Sequence, residues 1–384
     1  MPAGLRTKAI LSRHSNLLPA CCPKPGSSCD PANFILFSRR YLQELCTTKN
    51  KVTMYRMQQS GLLITAALFS VLTVFAQEAP LNVKEINPAV EKIAAQLRAH
   101  YVFEDKGHQI AAAWQEACKK GALDQVRSWQ AFDSIGTRLL RSIGHDRHLY
   151  VRYDPALARS LQQVRTDTSG EPEEDDALFF EGPAARDRNY GFEEVRILPG
   201  NLGYIKLTQF NISVKSLAVA YAAMQLVANT RALIIDLREN HGGGSNIGPV
   251  MESYFLPANK PLLEIKNRAG NMETLKTVPW LTQDKYKGPL YILVSKTTAS
   301  AAEAFTYTLQ ASKRATVVGQ RSAGAANMNT FYPVNDHVYV SISTAAPTLP
   351  GTHQNWEQEG VQPDLETAAG QELQAAEEAI SKAQ

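Results

Sequence analysis

Residues 232–244 read ALIIDLRENHGGG, an apolar run that ends in an aspartate and leads into three consecutive glycines. A short apolar run of this kind is typical of a strand buried on both faces of a parallel sheet. Glycines directly after the strand leave backbone N–H groups free to face an anion or an oxyanion. A phosphate-binding loop is disfavoured, because no Lys-Ser/Thr pair follows the glycines and the GxGxxG spacing is absent. Taken alone, the glycine run also fits a plain turn.

Strand and helix patterns alternate around this stretch from residue 192 onward. The predicted strands are Glu194–Leu198, Leu202–Leu207, Ala232–Leu237, Leu290–Ser295, Thr316–Val318 and Val338–Ser343. The predicted helices are Val214–Asn229, Ile247–Tyr254 and Ala301–Ser312, with a terminal helix after Thr367. Such alternation predicts a mostly parallel sheet covered by helices. The fold class is therefore α/β in this region.

The chain before residue 192 has a different texture. Apolar residues recur at helical spacing through residues 82–144, which predicts a small helical bundle and makes the whole chain α+β. His148–Tyr153 reads as a strand. The segment 166–189 carries the acidic run Glu171–Asp176 and is expected to be a solvated loop.

The sequence TTASAAE at residues 297–303 joins a predicted strand to a predicted helix. Ser300 would lie at the helix N-terminus, where the helix dipole and free N–H groups favour negative charge on a bound substrate. The competing interpretation is that Ser300 only caps the helix, with Glu303 three residues later completing a capping box.

Two further segments carry side chains suited to catalysis. His148 follows Asp146-Arg147 at a predicted helix–strand boundary, where a lone histidine is more often structural than catalytic. Residues 355–364 read NWEQEGVQPD, and Glu357 within them would ordinarily be assigned to a surface loop.

In this order and spacing, the four segments resemble the tail-specific (C-terminal processing) serine peptidases, serine peptidase family 41. The closer similarity is to the branch that includes the tricorn protease core and interphotoreceptor retinoid-binding protein, without a PDZ domain. The resemblance extends over residues 82–370 and includes FEEVRILPGNLGYIKL at residues 192–207. It implies a ClpP/crotonase-type core for residues 192–366.

The resemblance also implies a set of site residues. Ser300 matches the nucleophile, His148 the general base and Glu357 the glutamate of the tricorn-like branch. The oxyanion hole is expected from the N–H of Ala301 and one N–H from Gly242 or Gly243. No metal or organic cofactor is expected.

The sequence departs from the family pattern at two positions. The lysine base of the processing branch is replaced by Ala325, so the base is expected to be His148. Arg147 stands where tricorn has a serine that links the histidine to the glutamate, so here the link would need another group or direct contact between His148 and Glu357.

The N-terminal 76 residues differ from the rest in charge and cysteine content. They hold nine of the 40 Lys and Arg, two of the 37 acidic residues and four of the five cysteines. The remainder is weakly acidic, which disfavours a nucleic-acid partner. Residues 61–76, GLLITAALFSVLTVFA, contain no charge and fit the apolar core of a secretory signal cleaved after Ala76.

These observations predict the domain organisation. Residues 1–53 are expected to be an upstream extension, with an N-terminal anchor as the alternative. A signal peptide is expected at 54–76, a helical bundle at 77–160, an acidic linker at 161–191, the peptidase core at 192–366 and a terminal helix at 367–384.

The expected function is an exported, periplasmic or extracellular serine peptidase that acts on peptides or proteins. After signal cleavage no membrane anchor is expected, and the oligomeric state is left open. A non-catalytic ligand- or peptide-binding protein on the same fold is the alternative from another class, and a hydrolase of non-peptide substrates is a third hypothesis.

Overall fold

The computed structural model describes residues 81–166, 183–211, 213–244 and 247–383. The extension, the signal peptide and the acidic run predicted above lie outside these ranges. No helix in the described ranges is both long and apolar enough to cross a membrane.

Three helices open the described chain: α1 (Val83–His100), α2 (Glu104–Lys119) and α3 (Trp129–Gly144). The first begins at a capping box in which Asn82 accepts from Lys84 N and Glu85 accepts from Asn82 N, so the helix start is encoded locally. Their buried faces meet around Trp114, Phe132 and Leu140. The helical prediction for residues 82–144 agrees with these elements.

A six-stranded sheet forms the centre of the second part. Its strands are β2 (Phe192–Leu198), β3 (Leu202–Leu207), β4 (Ala232–Asp236), β7 (Leu290–Val294), β8 (Thr316–Gly319) and β11 (Leu365–Glu366). The order is β11-β8-β7-β4-β3-β2, and only β2 is antiparallel to its neighbour. Strands β4 and β7 are buried at every position, as the continuous apolar runs predicted.

Helices cover the two faces of this sheet. They are α6 (Val214–Val227), α7 (Ile247–Ser253), α8 (Ala301–Ala311) and α9 (Glu372–Lys382). One face packs around Phe210, Phe255 and Phe305, while α9 covers the other face through Ala376 and Ile380. The predicted α/β architecture is confirmed for this part.

A second, antiparallel sheet was only partly predicted. It contains β1 (Tyr150–Tyr153), β5 (Pro261–Asn267), β6 (Met272–Lys276), β9 (Met328–Pro333) and β10 (Val338–Thr348). The sequence-based prediction missed β5, β6 and β9. Strand β6 is mostly exposed and mixes polar with apolar residues, so it lacks the apolar run that marks a buried strand.

The second sheet joins the N-terminal helices to the rest of the chain. Val338, Val340 and Ile342 of β10 belong to the same hydrophobic cluster as the helices α1–α3. Two shorter helices, α4 (Pro155–Thr166) and α5 (Pro183–Asp187), were not predicted. The boundary predicted at residue 160 falls inside α4, and β1 pairs with β10 of the later part of the chain.

Candidate active site

Ser300 lies at the sharp turn between β7 and α8. Its φ is 55° and its ψ is −122°, a left-handed conformation that costs a non-glycine residue energy and is concentrated at functional sites. Its backbone N–H donates to Glu303 Oε2 at 2.9 Å. The predicted capping box is therefore present, and the Ser300 hydroxyl oxygen also lies 3.1 Å from His148 Nε2.

His148 reaches Ser300 from the segment between α3 and β1. The residue is buried, and its backbone carbonyl accepts a hydrogen bond from Ser341 Oγ of β10 at 2.6 Å. Burial lowers the pKa of the imidazole below its usual value, the Asp146 charge opposes this, and the Arg141 charge adds to it. Among the described residues, Nδ1 has no hydrogen-bond partner. The neutral ring can therefore accept the serine proton at Nε2.

Asp146 fixes the segment that carries His148. Its Oδ1 accepts from His148 N at 2.8 Å, an Asx turn that the Asp-x-His spacing could have indicated. Its Oδ2 accepts from Tyr101 Oη at 3.0 Å and Asn327 Nδ2 at 3.1 Å. Sequence reasoning assigned no role to Asp146 or Asn327, because their contacts join parts of the chain more than 40 residues apart.

Glu357 contacts the backbone of Asn327, whose side chain bonds Asp146. Its Oε2 accepts from Ala326 N at 2.8 Å and from Asn327 N at 3.0 Å. Burial and then the Asp146 charge raise the pKa of Glu357 to about 7. Within the described ranges no hydrogen bond joins Glu357 to His148, so the structure shows no direct link of the kind the sequence allowed.

An indirect connection replaces that link. Asn327 donates from its backbone to Glu357 and from its side chain to Asp146, which holds the backbone of His148. Arg147 is exposed and takes no part in this chain of contacts.

The glycine loop packs directly on Ser300. A Cβ at Gly242 (φ 104°) would come within 2.7 Å of Ser300 Cβ, and a Cβ at Gly243 (φ 142°) within 2.0 Å of Phe210 O. Only glycine fits at either position. Of the two glycines expected to offer an oxyanion donor, Gly242 already donates its N–H to Asn240 Oδ1 at 2.8 Å, which leaves Gly243.

Two N–H groups beside Ser300 remain without a partner among the described residues, those of Gly243 and Ala301. Buried Asn240 holds the two segments together, because Ala299 N donates to its carbonyl at 3.1 Å and its side chain bonds Gly242 N. The geometry leaves Gly243 and Ala301 as the two candidate donors for an oxyanion.

Glu303 organises the chain on the far side of the turn. Its carboxylate accepts from Ser322 Oγ at 2.5 Å, Gly324 N at 2.6 Å and Ala325 N at 2.8 Å, in addition to Ser300 N. Burial raises its pKa, and these hydrogen bonds oppose the shift. Ala325, at the position of the family lysine, is buried, and Lys296 is exposed, so His148 is the base candidate that touches Ser300.

Two cavities open on either side of Ser300. The apolar cavity, of about 280 Å³, is lined by Gly243, Ser300 and Ala301 and extends between β5, β6, β9, α7 and α8. The cationic cavity, of about 530 Å³, also contains Gly243 and Ser300. It adds five basic or ionisable side chains, Arg141, Arg147, Arg152, Lys296 and His241, beside His148 and Tyr150. No cluster of three or more His, Cys, Asp or Glu that could hold a metal ion occurs in the described ranges.

Comparisons with known proteins agree with this geometry. The model of peptidase family S41 matches residues 201–367. The carboxyl-terminal-processing protease of Synechocystis sp. is 31% identical over 43% of this chain and 38% of its own length. The chloroplastic carboxyl-terminal-processing peptidase 2 of Arabidopsis thaliana is 30% identical over 44% of this chain and 33% of its own length.

The aligned region thus spans little more than a third of these curated relatives. Among solved structures, a lipoprotein from Streptococcus agalactiae has the same fold, with a TM-score of 0.52 and 20% identity over 77% of this chain and 95% of that one. Residues 201–367, which contain the glycine loop, the Ser300 turn and the Glu357 segment, are therefore similar to peptidase family S41.

Proposed function

We propose that the protein is a serine peptidase in which Ser300 is the nucleophile and His148 the general base. The contact between Ser300 Oγ and His148 Nε2 at 3.1 Å carries this proposal. A serine hydroxyl becomes an effective nucleophile when an adjacent base takes its proton. The lowered pKa of His148 keeps the imidazole neutral, and therefore able to act as a base, at neutral pH.

The reaction divides into two steps. Ser300 Oγ forms a bond to the carbonyl carbon of the scissile peptide while His148 Nε2 takes the hydroxyl proton. The C–N bond then breaks, and the proton passes from His148 to the leaving amine. Water, deprotonated by the same imidazole, attacks the acyl-enzyme and releases the new carboxylate, which restores Ser300.

Negative charge on the carbonyl oxygen is stabilised at the N-terminus of α8. The N–H groups of Gly243 and Ala301 would donate to it, and the dipole of α8 adds to their effect. Loss of one such donor typically costs about 10²–10³-fold in rate. The left-handed turn at Ser300 holds the hydroxyl beside these donors.

Glu357 supports the base through its neighbours. It holds the backbone of Ala326 and Asn327, Asn327 bonds Asp146, and Asp146 bonds the backbone of His148. We therefore assign Glu357 and Asp146 as positioning residues, and Glu303 as the residue that positions the Ser300 turn.

Export belongs to the same proposal. The uncharged run Gly61–Ala76 fits a secretory signal, so the mature chain would begin at Gln77 and act in the periplasm or outside the cell. N-terminal sequencing of exported material should give Gln77, and a mature chain that retains residues 1–53 would contradict this.

A fluorophosphonate probe tests the nucleophile. We expect covalent labelling of the wild-type protein and its loss in Ser300→Ala, while the exposed serine variant Ser142→Ala labels normally. A peptide-library digest read by mass spectrometry should show cleavage products that are absent with Ser300→Ala. Retained labelling in Ser300→Ala would contradict the assignment.

The alternative is a peptide-binding protein without catalysis. One observation favours it, the absence of a hydrogen-bond partner on His148 Nδ1 among the described residues, because the imidazolium formed during the reaction is usually stabilised there. Peptide binding by a folded protein that neither labels nor cleaves would support this alternative.

A further inference from the structure

The apolar cavity beside Ser300 contains a single titratable side chain. Its walls include Leu263, Ile265 and Leu275 from β5 and β6, and Phe305 from α8. Glu252 of α7 also lines it and is only 3% exposed. No other Asp, Glu, His, Lys, Arg, Tyr or Cys from the described elements lines this cavity.

Only one of the two oxygens of the Glu252 carboxyl accepts a hydrogen bond from a described residue. One oxygen, Oε1, accepts from Thr308 Oγ1 of α8. Within the described ranges, Thr308 is the donor to this carboxyl, and Oε2 accepts no hydrogen bond. Asn327 also belongs to the lining, but its Oδ1 is inaccessible. A carboxyl oxygen without a protein donor, in an otherwise apolar lining, favours a ligand that brings a donor.

The cavity is placed to hold a substrate side chain. Because Ser300, Ala301 and Gly243 form one end, the residue whose carbonyl Ser300 attacks would direct its side chain here. The walls suit a long apolar stem, and Glu252 suits a donor at its tip. A lysine side chain combines a flexible four-carbon stem with three N–H donors and no acceptor.

We propose that the apolar cavity is the pocket for the residue preceding the cleaved bond and selects a basic side chain, lysine or arginine, through Glu252. The proposal rests on the proposed function and specifies its substrate class. A purely apolar side chain would instead leave the free Glu252 oxygen buried without a partner.

The protonation state of Glu252 adds a pH dependence to this selectivity. Burial raises the pKa of Glu252 to about 8, with the Thr308 hydrogen bond opposing the shift. Below this pKa the carboxyl is mostly neutral, and a cationic side chain must displace its proton. Selectivity for a cation should therefore rise with pH through about 7 to 9.

The experiment compares two peptides that differ only at the residue before the cleaved bond, lysine in one and norleucine in the other. Norleucine keeps the apolar stem without the charge. The measured quantity is the ratio of their kcat/KM values, in which the titration of His148 cancels because both peptides use the same base. An arginine and citrulline pair repeats the test for the guanidinium.

For the wild-type protein we expect the lysine peptide to be preferred at pH 9. The ratio should fall about tenfold from pH 9 to pH 7, as the ionised fraction of a group with pKa about 8 falls from roughly 90% to 10%. A ratio of one or less at pH 9, or one that does not change with pH, overturns the proposal.

Glu252→Gln provides the variant test. It should lower the lysine-to-norleucine ratio at pH 9 by at least about 30-fold, the lower bound for removing one member of a buried charge pair. Glu239→Gln, the same change at an exposed glutamate, should leave the ratio as in the wild type. An unchanged ratio in Glu252→Gln overturns the proposal, and the wild-type pH series decides it if this variant does not fold.

Failure of the two proposals can be told apart. Cleavage and Ser300 labelling without a basic preference overturn only the assignment of Glu252. The absence of both labelling and cleavage overturns the proposed function, and the substrate class with it.

Discussion

The two cavities that meet at Ser300 share part of their lining but differ in polarity and in charge. The apolar cavity is enclosed by aliphatic and aromatic side chains and holds one half-satisfied carboxyl group, Glu252. The cationic cavity holds three guanidinium groups and a lysine, and none of the described residues that line it is Asp or Glu.

The segment around β1 contributes to one cavity and not to the other. The walls of the apolar cavity come from residues 243–356, whereas Arg141, Arg147, His148 and Arg152 of the cationic cavity come from the segment around β1. The base therefore lies on the cationic side and the proposed selectivity pocket on the apolar side. On the two proposals, the catalytic base and the substrate selectivity would be supplied by different segments of the chain that meet at Ser300.

The largest expected effect concerns the base, which belongs to the cationic side alone. His148→Ala should lower kcat/KM by about 10⁴-fold or more, because members of one catalytic unit fail together. Lys296→Ala, an exposed neighbour in the same cavity, should stay near the wild type. Peptidase assays of both variants check this, and the reverse result would show that Lys296 is the base.

The next effect concerns Gly242, which packs against Ser300 at the junction of the two cavities. Gly242→Ala would place a Cβ 2.7 Å from Ser300 Cβ and 3.0 Å from Ala299 O. Displacement of the nucleophile by about 1 Å can cost about 10²-fold in rate, and we expect a loss of this order.

A matched control distinguishes two effects of Gly242→Ala, the steric contact with Ser300 and the backbone strain of a positive φ. Gly270 also has a positive φ, 81°, but open space around its Cβ direction. Gly270→Ala should lose stability in thermal denaturation without a comparable loss of kcat/KM. An equal loss of activity in both variants would contradict the contact explanation.

The acid limb of the pH profile tests the environment of the base. Burial lowers the pKa of His148, so kcat/KM should fall on acidification with a midpoint below the ordinary value of about 6.5. Asp146→Asn removes a charge that raises this pKa, so the midpoint should move further toward acid. A midpoint above 6.5 in the wild type would show that a carboxylate dominates over burial.

Smaller effects are expected from the cations of the cationic cavity. Arg147 is exposed, and its charge should attract acidic side chains in the part of the peptide that follows the cleaved bond. Arg147→Gln should raise KM for such peptides by about threefold to tenfold, and salt should reduce the difference. Arg196→Gln on β2 is the control, and an effect of salt that is equal in both variants would argue against a role for this cavity.

The smallest effect is expected at Glu357. Gln in its place can still accept from Ala326 N and Asn327 N, so Glu357→Gln should change kcat/KM by less than about threefold if the role is positioning. Glu357→Ala should lose more, since it leaves both N–H groups without their acceptor. A loss of 10²-fold or more in Glu357→Gln would instead indicate that its charge acts on His148.

Local pattern in the sequence predicted the parts of the fold that are regular and buried. The uninterrupted apolar runs gave β4 and β7 to within one residue, because a strand covered on both faces needs apolar residues throughout. Strands β5, β6 and β9 were missed because they lie in a sheet with exposed positions, where pairing between strands decides the conformation: β5 and β9 pair with β10, and β6 pairs with β5. Helix α4 lacked a comparable signal.

The sequence by itself determined which residues could react: a serine before a helix, a glycine loop after a buried strand, and a histidine without a competing lysine at residue 325. Each motif by itself also fits a structural role, and the resemblance of the four segments together to the serine peptidase family is what singles these residues out. Tertiary structure alone decided which groups meet, since Asp146, Asn327 and Glu357 come together over more than 180 residues of chain. It also decided that Gly242 is already bonded and that Glu252 faces the cavity beside Ser300, because burial and hydrogen-bond partners arise only when distant segments pack.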